Sequence, residues 1–315
     1  MGEDAGAGWI GGVLPPTYNR RVKIVVAGGT GFIGEPLVRR LVARGDDVTV
    51  LTRDPAKVET GRGVQWDGNT QGAWSNDVAS ADVIINLAGE NIGDGRWTEE
   101  RKRRLVDSRL NATSALVKAL RGNPTFISAS AIGIYGDRGD EALDESSPRG
   151  SGFLADLVEQ WEAATREAES IARVVIIRFG IVLSPDGGAL KKMLLPFKLG
   201  AGGPIGNGRQ WMSWVDRDDV LRLVEWTIDH SIARGVYNAT APEPVRNRDL
   251  SRALGRALHR PAIFPAPAFA LRLMFGREMA GEVLLAGQRV IPRRAREDGF
   301  AFTRVTLADA LAHML

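Results

Sequence analysis

The sequence predicts an α/β fold built on a doubly wound parallel sheet, with a smaller, mostly helical C-terminal lobe. Three observations predict it. Short apolar or β-branched runs alternate with helical patterns from residue 22 to 179, the rhythm of parallel strands joined by helical crossovers. The first run leads directly into Gly28, Gly31 and Gly34, three residues apart. After Gly180 the alternation stops, Gly and Pro cluster from Pro185 to Gly208, and a helical pattern takes over from Ala241.

Val22 to Ala27 reads as a buried strand bounded by glycines. A helix is expected from about Phe32 to Arg44, stopped by Gly45. Asp47 to Thr52 is a second strand, and Val83 to Leu87 another, ending in Ala88-Gly89. Thr98 has the side chain of an N-cap, with Glu99 and Glu100 where the helix dipole favours anions, so a helix is expected to about Arg121. Thr125 to Ser128 is a strand, Ser151 caps a helix reaching about Ile171, and Val174 to Phe179 is the next strand. In the lobe, Pro261, Pro265 and Pro267 break the helices, and the apolar run from Ala266 to Phe275 is expected to pack into a core. The lobe is expected to lie over the carboxyl edge of the sheet. The organisation read from this pattern is a flexible tail over 1–20, a Rossmann-type domain over 21–240 and a lobe over 241–315.

Composition narrows the function. The 315 residues are 44% hydrophobic and 25% charged, an ordinary globular balance. There is no cysteine, which excludes disulfides and thiolate metal sites, and the three histidines have no metal-ligand spacing. Lys and Arg number 41 against 38 Asp and Glu, too small an excess to argue for nucleic acid. The basic runs Arg101 to Arg104 and Arg293 to Arg296 read as solvated faces. No apolar run approaches the roughly 20 residues needed to cross a bilayer. The acidic start is unlike a signal peptide. A cytoplasmic protein with a small-molecule substrate, no nucleic-acid partner and no membrane partner is expected.

The loop Gly28-Gly29-Thr30-Gly31-Phe32-Ile33-Gly34 carries the chemistry. It follows a strand and opens a helix, the context in which spaced glycines bind a dinucleotide pyrophosphate. The first glycines let the backbone turn and approach the anion without a Cβ. The last lets the helix pack close, and the helix N-terminus offers free N–H groups. An acid that holds the ribose 2′-hydroxyl of NAD is expected about 20 residues on. Here the second strand ends Leu51-Thr52-Arg53-Asp54, with threonine where the acid would stand and an arginine able to hold a 2′-phosphate. The cofactor expected is NADP(H), with Arg53 as its selector and Lys57 as an added charge.

These residues resemble the extended or atypical short-chain dehydrogenase/reductases of the NAD-dependent epimerase/dehydratase-like family. Further matching pieces are Asn-Leu-Ala-Gly-Glu-Asn-Ile at 86–92, Ser-Ala-Ser-Ala at 128–131 leading to Tyr135-Gly136, and Arg-Phe-Gly-Ile-Val-Leu at 178–183. The resemblance implies that Leu87, Ala88 and Gly89 pass under the cofactor, and that Ser128 or Ser130 faces the nicotinamide. It also implies a Tyr-x-x-x-Lys dyad on the following helix, where the tyrosine exchanges a proton and the lysine lowers its pKa. None of Tyr18, Tyr135 and Tyr237 has a lysine four residues on, and Phe153 and Leu157 stand at the expected positions. Phenylalanine transfers no proton. Ser130 and Tyr135, directly after the fifth strand, are the catalytic candidates, with Glu90 as an alternative base. Two readings stay open: an NADP(H)-dependent oxidoreductase or epimerase-like enzyme acting on a small carbonyl or hydroxyl substrate, and a non-catalytic NADP(H)-binding regulator that works through a protein partner.

Overall fold

The computed structural model describes residues 21–315, and the tail expected over residues 1–20 lies outside the described residues. Side-chain alternation builds its centre. In β1 (Lys23–Ala27), Ile24 and Val26 belong to one core and Val25 and Ala27 to another. That is the pattern of a strand buried on both faces. Then follow α1 (Gly34–Ala43), β2 (Asp47–Thr52), β3 (Arg62–Gln65), α2 (Trp74–Ala79), β4 (Val83–Asn86), α3 (Glu99–Ala119), β5 (Thr125–Ala131) and β6 (Ala142–Leu143). The middle of the chain holds α4 (Phe153–Arg166), β7 (Arg173–Phe179), β8 (Ile181–Ser184), α5 (Gly188–Lys198), β9 (Trp211–Met212), β10 (Trp214–Asp216), α6 (Arg217–Asp229) and β11 (Gly235–Ala239). The remainder comprises β12 (Val245–Arg246), α7 (Asn247–Ala257), α8 (Ala268–Phe275), α9 (Arg277–Met279), a π turn (Ala280–Leu285), β13 (Arg289–Val290), α10 (Arg293–Glu297) and α11 (Leu307–Met314).

Seven strands form one parallel sheet in the order β3-β2-β1-β4-β5-β7-β11. From β1 the chain winds outward to β3, then returns past it to β4 and winds the other way. The carboxyl ends of β1 and β4 therefore diverge, and the crevice between them is where such sheets take their ligand. One face is covered by α1 and α6, through Leu37, Leu41, Leu223 and Val224; the other by α2 and α3, through Trp74, Val78, Ala112 and Leu116. This is the doubly wound sheet expected from the sequence.

Three local expectations are revised. The cap of α4 is not Ser151: its N-cap is Gly152, at φ +109°, and no side chain of the cap residue bonds the helix. Instead Glu282, from the π turn, accepts from the Phe153 and Leu154 amides at 2.9 and 2.8 Å. The apolar run ending at Phe275 forms α8, yet none of its eight residues is buried. The basic run Arg101 to Arg104 is only partly solvated, because Arg101 and Arg104 both turn to Glu90. Among the described residues no helix is long and apolar enough to cross a membrane.

Candidate functional site

The β1–α1 turn is shaped by what a Cβ would strike. Gly28 sits at φ +78°, and a Cβ there would lie 2.8 Å from the Leu87 carbonyl carbon, so the turn lies directly on the end of β4. A Cβ on Gly34 would be 2.2 Å from the Gly28 oxygen, so only glycine lets α1 start this close to the strand. Beyond its chain neighbours, the one atom among the described residues within 4 Å of such a Cβ at Gly31 is the Gly28 oxygen, at 3.3 Å; this side of the loop faces the cleft. Ile33 is the N-cap of α1 and supplies no side-chain acceptor. Glu35 N already donates to Gly31 O at 2.9 Å and Pro36 has no N–H, so among the described residues it is the Ile33 and Gly34 amides of that terminus that remain available to an anion.

A cleft of about 470 Å³ opens from this turn across the β1–β4 crevice. Gly28, Thr30 and Gly31 form one wall, and Leu87, Ala88, Gly89 and Glu90 pass along it. Thr52 and Arg53 border it at the end of β2, and Trp66 and Asp67 after β3. Phe32 and Ile33 are half-buried, turned inward from the loop; the Phe32 ring packs against Gly187 and the Arg217 guanidinium lies 5.2 Å from its centroid. Arg53 is exposed, and among the described residues its guanidinium has no hydrogen bond or ion pair. Asp54 is turned away from the cleft. Its carboxylate accepts from the Ala56 amide at 3.2 Å and pairs with Lys57 at 3.4 Å, which also withdraws Lys57. The buried Trp66 Nε1 has no partner. A glycine cradle, an unpaired arginine and an orphaned donor fit a phosphorylated dinucleotide.

Gly89 is held from behind. The buried Arg109 guanidinium donates to the Leu105 and Glu90 carbonyl oxygens, each at 2.9 Å, and stacks on Trp161 at 5.2 Å. Burial pulls its pKa down to about 10. A Cβ on Gly89 would lie 3.1 Å from that guanidinium carbon, which makes glycine the tight fit here. The Glu90 carboxylate on the cleft side is engaged by Arg101 and, at 3.8 Å, by Arg104. No local sequence pattern announced Arg104 or Trp66 as cleft residues, since each reaches the site only through the packing of α3 and β3.

Ser130 and Tyr135 lie outside the cleft lining, in a buried network. Ser130 Oγ donates to Glu162 Oε1 at 2.7 Å. Arg178 grips the same carboxylate with Nε at 2.7 Å and Nη2 at 2.8 Å, and gives Nη1 to the Tyr135 hydroxyl at 2.8 Å. Tyr135 in turn donates to Asn238 Oδ1 at 2.9 Å. Burial pushes the Tyr135 phenol up to about 12, against the pull of Arg178. Burial alone would raise the Glu162 carboxyl, but Arg178 and Ser130 outweigh it and hold it low. Ser128 is also buried and accepts from Thr165 Oγ1 at 3.2 Å. At the dyad positions, Leu157 is buried among apolar side chains, and Phe153 packs edge-on against Trp97 at 5.0 Å.

Comparison with known proteins accounts for this arrangement. A model described as NAD dependent epimerase/dehydratase family matches residues 24–240, and one described as a domain of unknown function, DUF1731, matches residues 266–314. A chloroplastic "Epimerase family protein SDR39U1 homolog" of Arabidopsis thaliana is 38% identical over 301 residues, covering 92% of this chain and 86% of that protein. The crystal structure of human epimerase family protein SDR39U1 (isoform 2) with NADPH superposes with a TM-score of 0.83 at 35% identity, over 92% of this chain and 98% of that one. A nucleoside-diphosphate sugar epimerase from Corynebacterium glutamicum superposes with a TM-score of 0.74 at 31% identity, over 94% of this chain and 58% of that one. With more than half of its length matched by the family model, the chain belongs to the NAD dependent epimerase/dehydratase family.

Proposed function

We propose that this protein is an NADP(H)-dependent oxidoreductase or epimerase-like enzyme acting on a small carbonyl or hydroxyl substrate. The observation that carries the cofactor choice is the unpaired Arg53 beside Thr52 at the end of β2, with Asp54 turned into its own cap. A 2′-phosphate there meets the Arg53 guanidinium, with the neighbouring Asp54 carboxylate held in its own cap. The human relative solved with NADPH supports the same choice. Bound cofactor supplies or accepts hydride. The residues of this chain bind it: the 28–34 loop at the pyrophosphate, Arg53 at the 2′-phosphate, and Leu87, Ala88 and Gly89 beneath it.

Hydride exchange at a carbonyl carbon leaves an oxygen that must gain or lose a proton. Of the candidates, Glu90 alone lines the cleft, so proton exchange is assigned to it. Ser130 and Tyr135 are positioning residues that anchor the end of β5 through Glu162 and Arg178. The rival reading, a regulator that binds cofactor without turnover, is favoured by one observation: the dyad positions hold Phe153 and Leu157 in apolar packing.

Calorimetry with both cofactors, followed by a panel of carbonyl substrates, tests this reading. NADPH binds more tightly than NADH, and Arg53→Ala costs NADPH about tenfold to a hundredfold, roughly 1.5–3 kcal/mol for a charge-assisted contact. Equal affinities for the two cofactors in the wild type overturn the cofactor choice. Turnover is lost in Glu90→Gln with NADPH still bound. Firm NADPH binding with no turnover of any carbonyl by the wild type decides for the regulator.

A further inference from the structure

Among the described residues, seven of the eleven exposed large apolar side chains lie on three segments. On α8, Phe269, Leu273 and Met274 are 74%, 73% and 63% exposed; on α5 and at its C-cap, Leu195 and Leu199 are 65% and 75% exposed; on the connection before α8, Ile263 and Phe264 are 71% and 57% exposed. Isolated exposed apolar residues need no explanation, but a cluster of this size does. The segments adjoin one another. Arg260 Nε donates to the Lys198 carbonyl at 3.2 Å, joining the connection to α5. The Phe264 amide donates to Gly202 O at 3.1 Å. Both helices also touch the 93–96 turn, α5 through Lys192 Nζ on Gly93 O at 3.1 Å and α8 through its Met274 carbonyl, which accepts from Arg96 Nε at 3.0 Å.

The charge around these side chains is predominantly positive, although Asp94 pairs with Lys192 at 3.0 Å and Asp249 with Arg252 at 3.4 Å. From residue 250 to 277 there is no Asp or Glu, and five arginines: Arg252, Arg256, Arg260, Arg272 and Arg277. From 187 to 215 there is again no acid, while α5 carries Lys191, Lys192 and Lys198. Arg272 and Arg277 line the same surface depression as Phe269 and Leu273. Arg252, Arg256 and Arg260 line the one beside Ile263. Aromatic and aliphatic side chains standing out among arginines and lysines are the composition of a face that lies in a bilayer interface.

We propose that this face, formed by α5, the 260–267 connection and α8, docks on an anionic lipid surface. The cations meet lipid phosphates, and Leu199, Phe269 and Leu273 enter the headgroup–acyl boundary. A second copy of the chain is a poor occupant, because a two-fold contact would set these arginines against themselves. A rigid partner must supply a separate hollow for each protruding side chain, whereas a fluid bilayer accepts them as they stand. The 93–96 turn between the two helices follows directly on Gly89 and Glu90 of the cleft wall. Docking would thus bring that side of the cleft to the membrane surface.

Vesicle sedimentation of the full chain tests the proposal, using phosphatidylcholine alone and phosphatidylcholine with about one-third phosphatidylglycerol. The wild type binds the anionic vesicles at least about tenfold more than the neutral ones, and added salt releases it. The double variants Phe269→Glu/Leu273→Glu, Leu195→Glu/Leu199→Glu and Arg256→Glu/Arg272→Glu each lose about tenfold or more. Every altered residue is on the surface, and unchanged thermal midpoints and NADPH affinity verify that each variant is folded. Equal binding to both vesicle types, or variants that bind like the wild type, overturns the proposal. So does a concentration-dependent dimer that Phe269→Glu/Leu273→Glu disperses while vesicles go unbound, and so does retention by an acidic protein surface with no vesicle binding.

Discussion

The Tyr135 hydroxyl accepts from Arg178 and donates to Asn238, so both of its hydrogen-bonding capacities are used inside the protein. Its pKa, pushed up to about 12 by burial, has a consequence for stability. Below pH 10 the phenol is protonated in both the folded and unfolded chains, and its contribution is fully present. Between 10 and about 12 the unfolded chain releases the proton while the folded one keeps it, so stability falls by about 1.4 kcal/mol per pH unit, about 2–3 kcal/mol in all. Tyr135→Phe should remove that share of the alkaline loss. Tyr237, also raised to about 12, stays in both proteins, so their difference isolates Tyr135. At neutral pH the variant should be less stable by roughly 1–3 kcal/mol, because Arg178 and Asn238 each lose a partner. Denaturant titrations at pH 7, 9 and 11 check both signs; parallel curves across the pH range would refute the buried phenol.

Helix α4 shows how one element can depend on a distant one. Its first amides are satisfied by Glu282, 129 residues later in the chain than Phe153. A carboxylate at a helix N-terminus accepts the orphan donors and opposes the dipole. Glu282→Ala should therefore cost about 1–2 kcal/mol in chemical denaturation, with Glu282→Gln intermediate. The contrast with α3 marks what the sequence could reveal. The Thr98 cap, whose hydroxyl oxygen accepts from the Arg101 amide at 3.1 Å, is a local pattern and was legible, as were β1, β2, β4, β5 and β7 from their apolar runs. The Glu282 cap was not, because nothing near Gly152 encodes it. The glycine turn from Gly28 to Gly34 was readable because strand, turn and helix are contiguous. The network through Ser130, Glu162, Arg178 and Tyr135 draws on β5, α4, β7 and the turn after β5, so the sequence left those residues looking free for catalysis. For α8 the apolar pattern was real, but periodicity reports amphipathic character and not what covers the apolar side.

The two parts read from the sequence, 21–240 and 241–315, share their cores. Ala295 and Phe300 are buried in the same cluster as Ile24 and Val224 on one face of the sheet. Leu250, Leu254, Leu307 and Leu311 pack with Leu183, Leu190 and Trp214. Polar contacts cross as well. The buried Asp219 carboxylate accepts from the Thr303 amide and hydroxyl at 2.9 and 2.7 Å and from the Arg304 amide at 2.9 Å. Tyr237 donates to Asp298 at 2.6 Å, and the Val290 amide to Ser213 Oγ at 2.8 Å. Ending the chain at residue 240 would uncover the faces beneath Phe300 and the four leucines. At 1.5–3 kcal/mol for each large apolar side chain, the loss is roughly 7–15 kcal/mol, comparable to the whole stability of a typical domain. Asp219 would also lose the Thr303 and Arg304 donors that the lobe supplies. The expected outcome is that residues 21–240 alone show no cooperative thermal transition, bind a hydrophobic dye and fail to bind NADPH, while the full chain unfolds in a single transition. Adding residues 241–315 as a separate peptide should restore the transition in part, since the contacts are non-covalent. A sharp, cooperative unfolding of 21–240 with intact NADPH binding would show instead that the sheet is complete without the lobe.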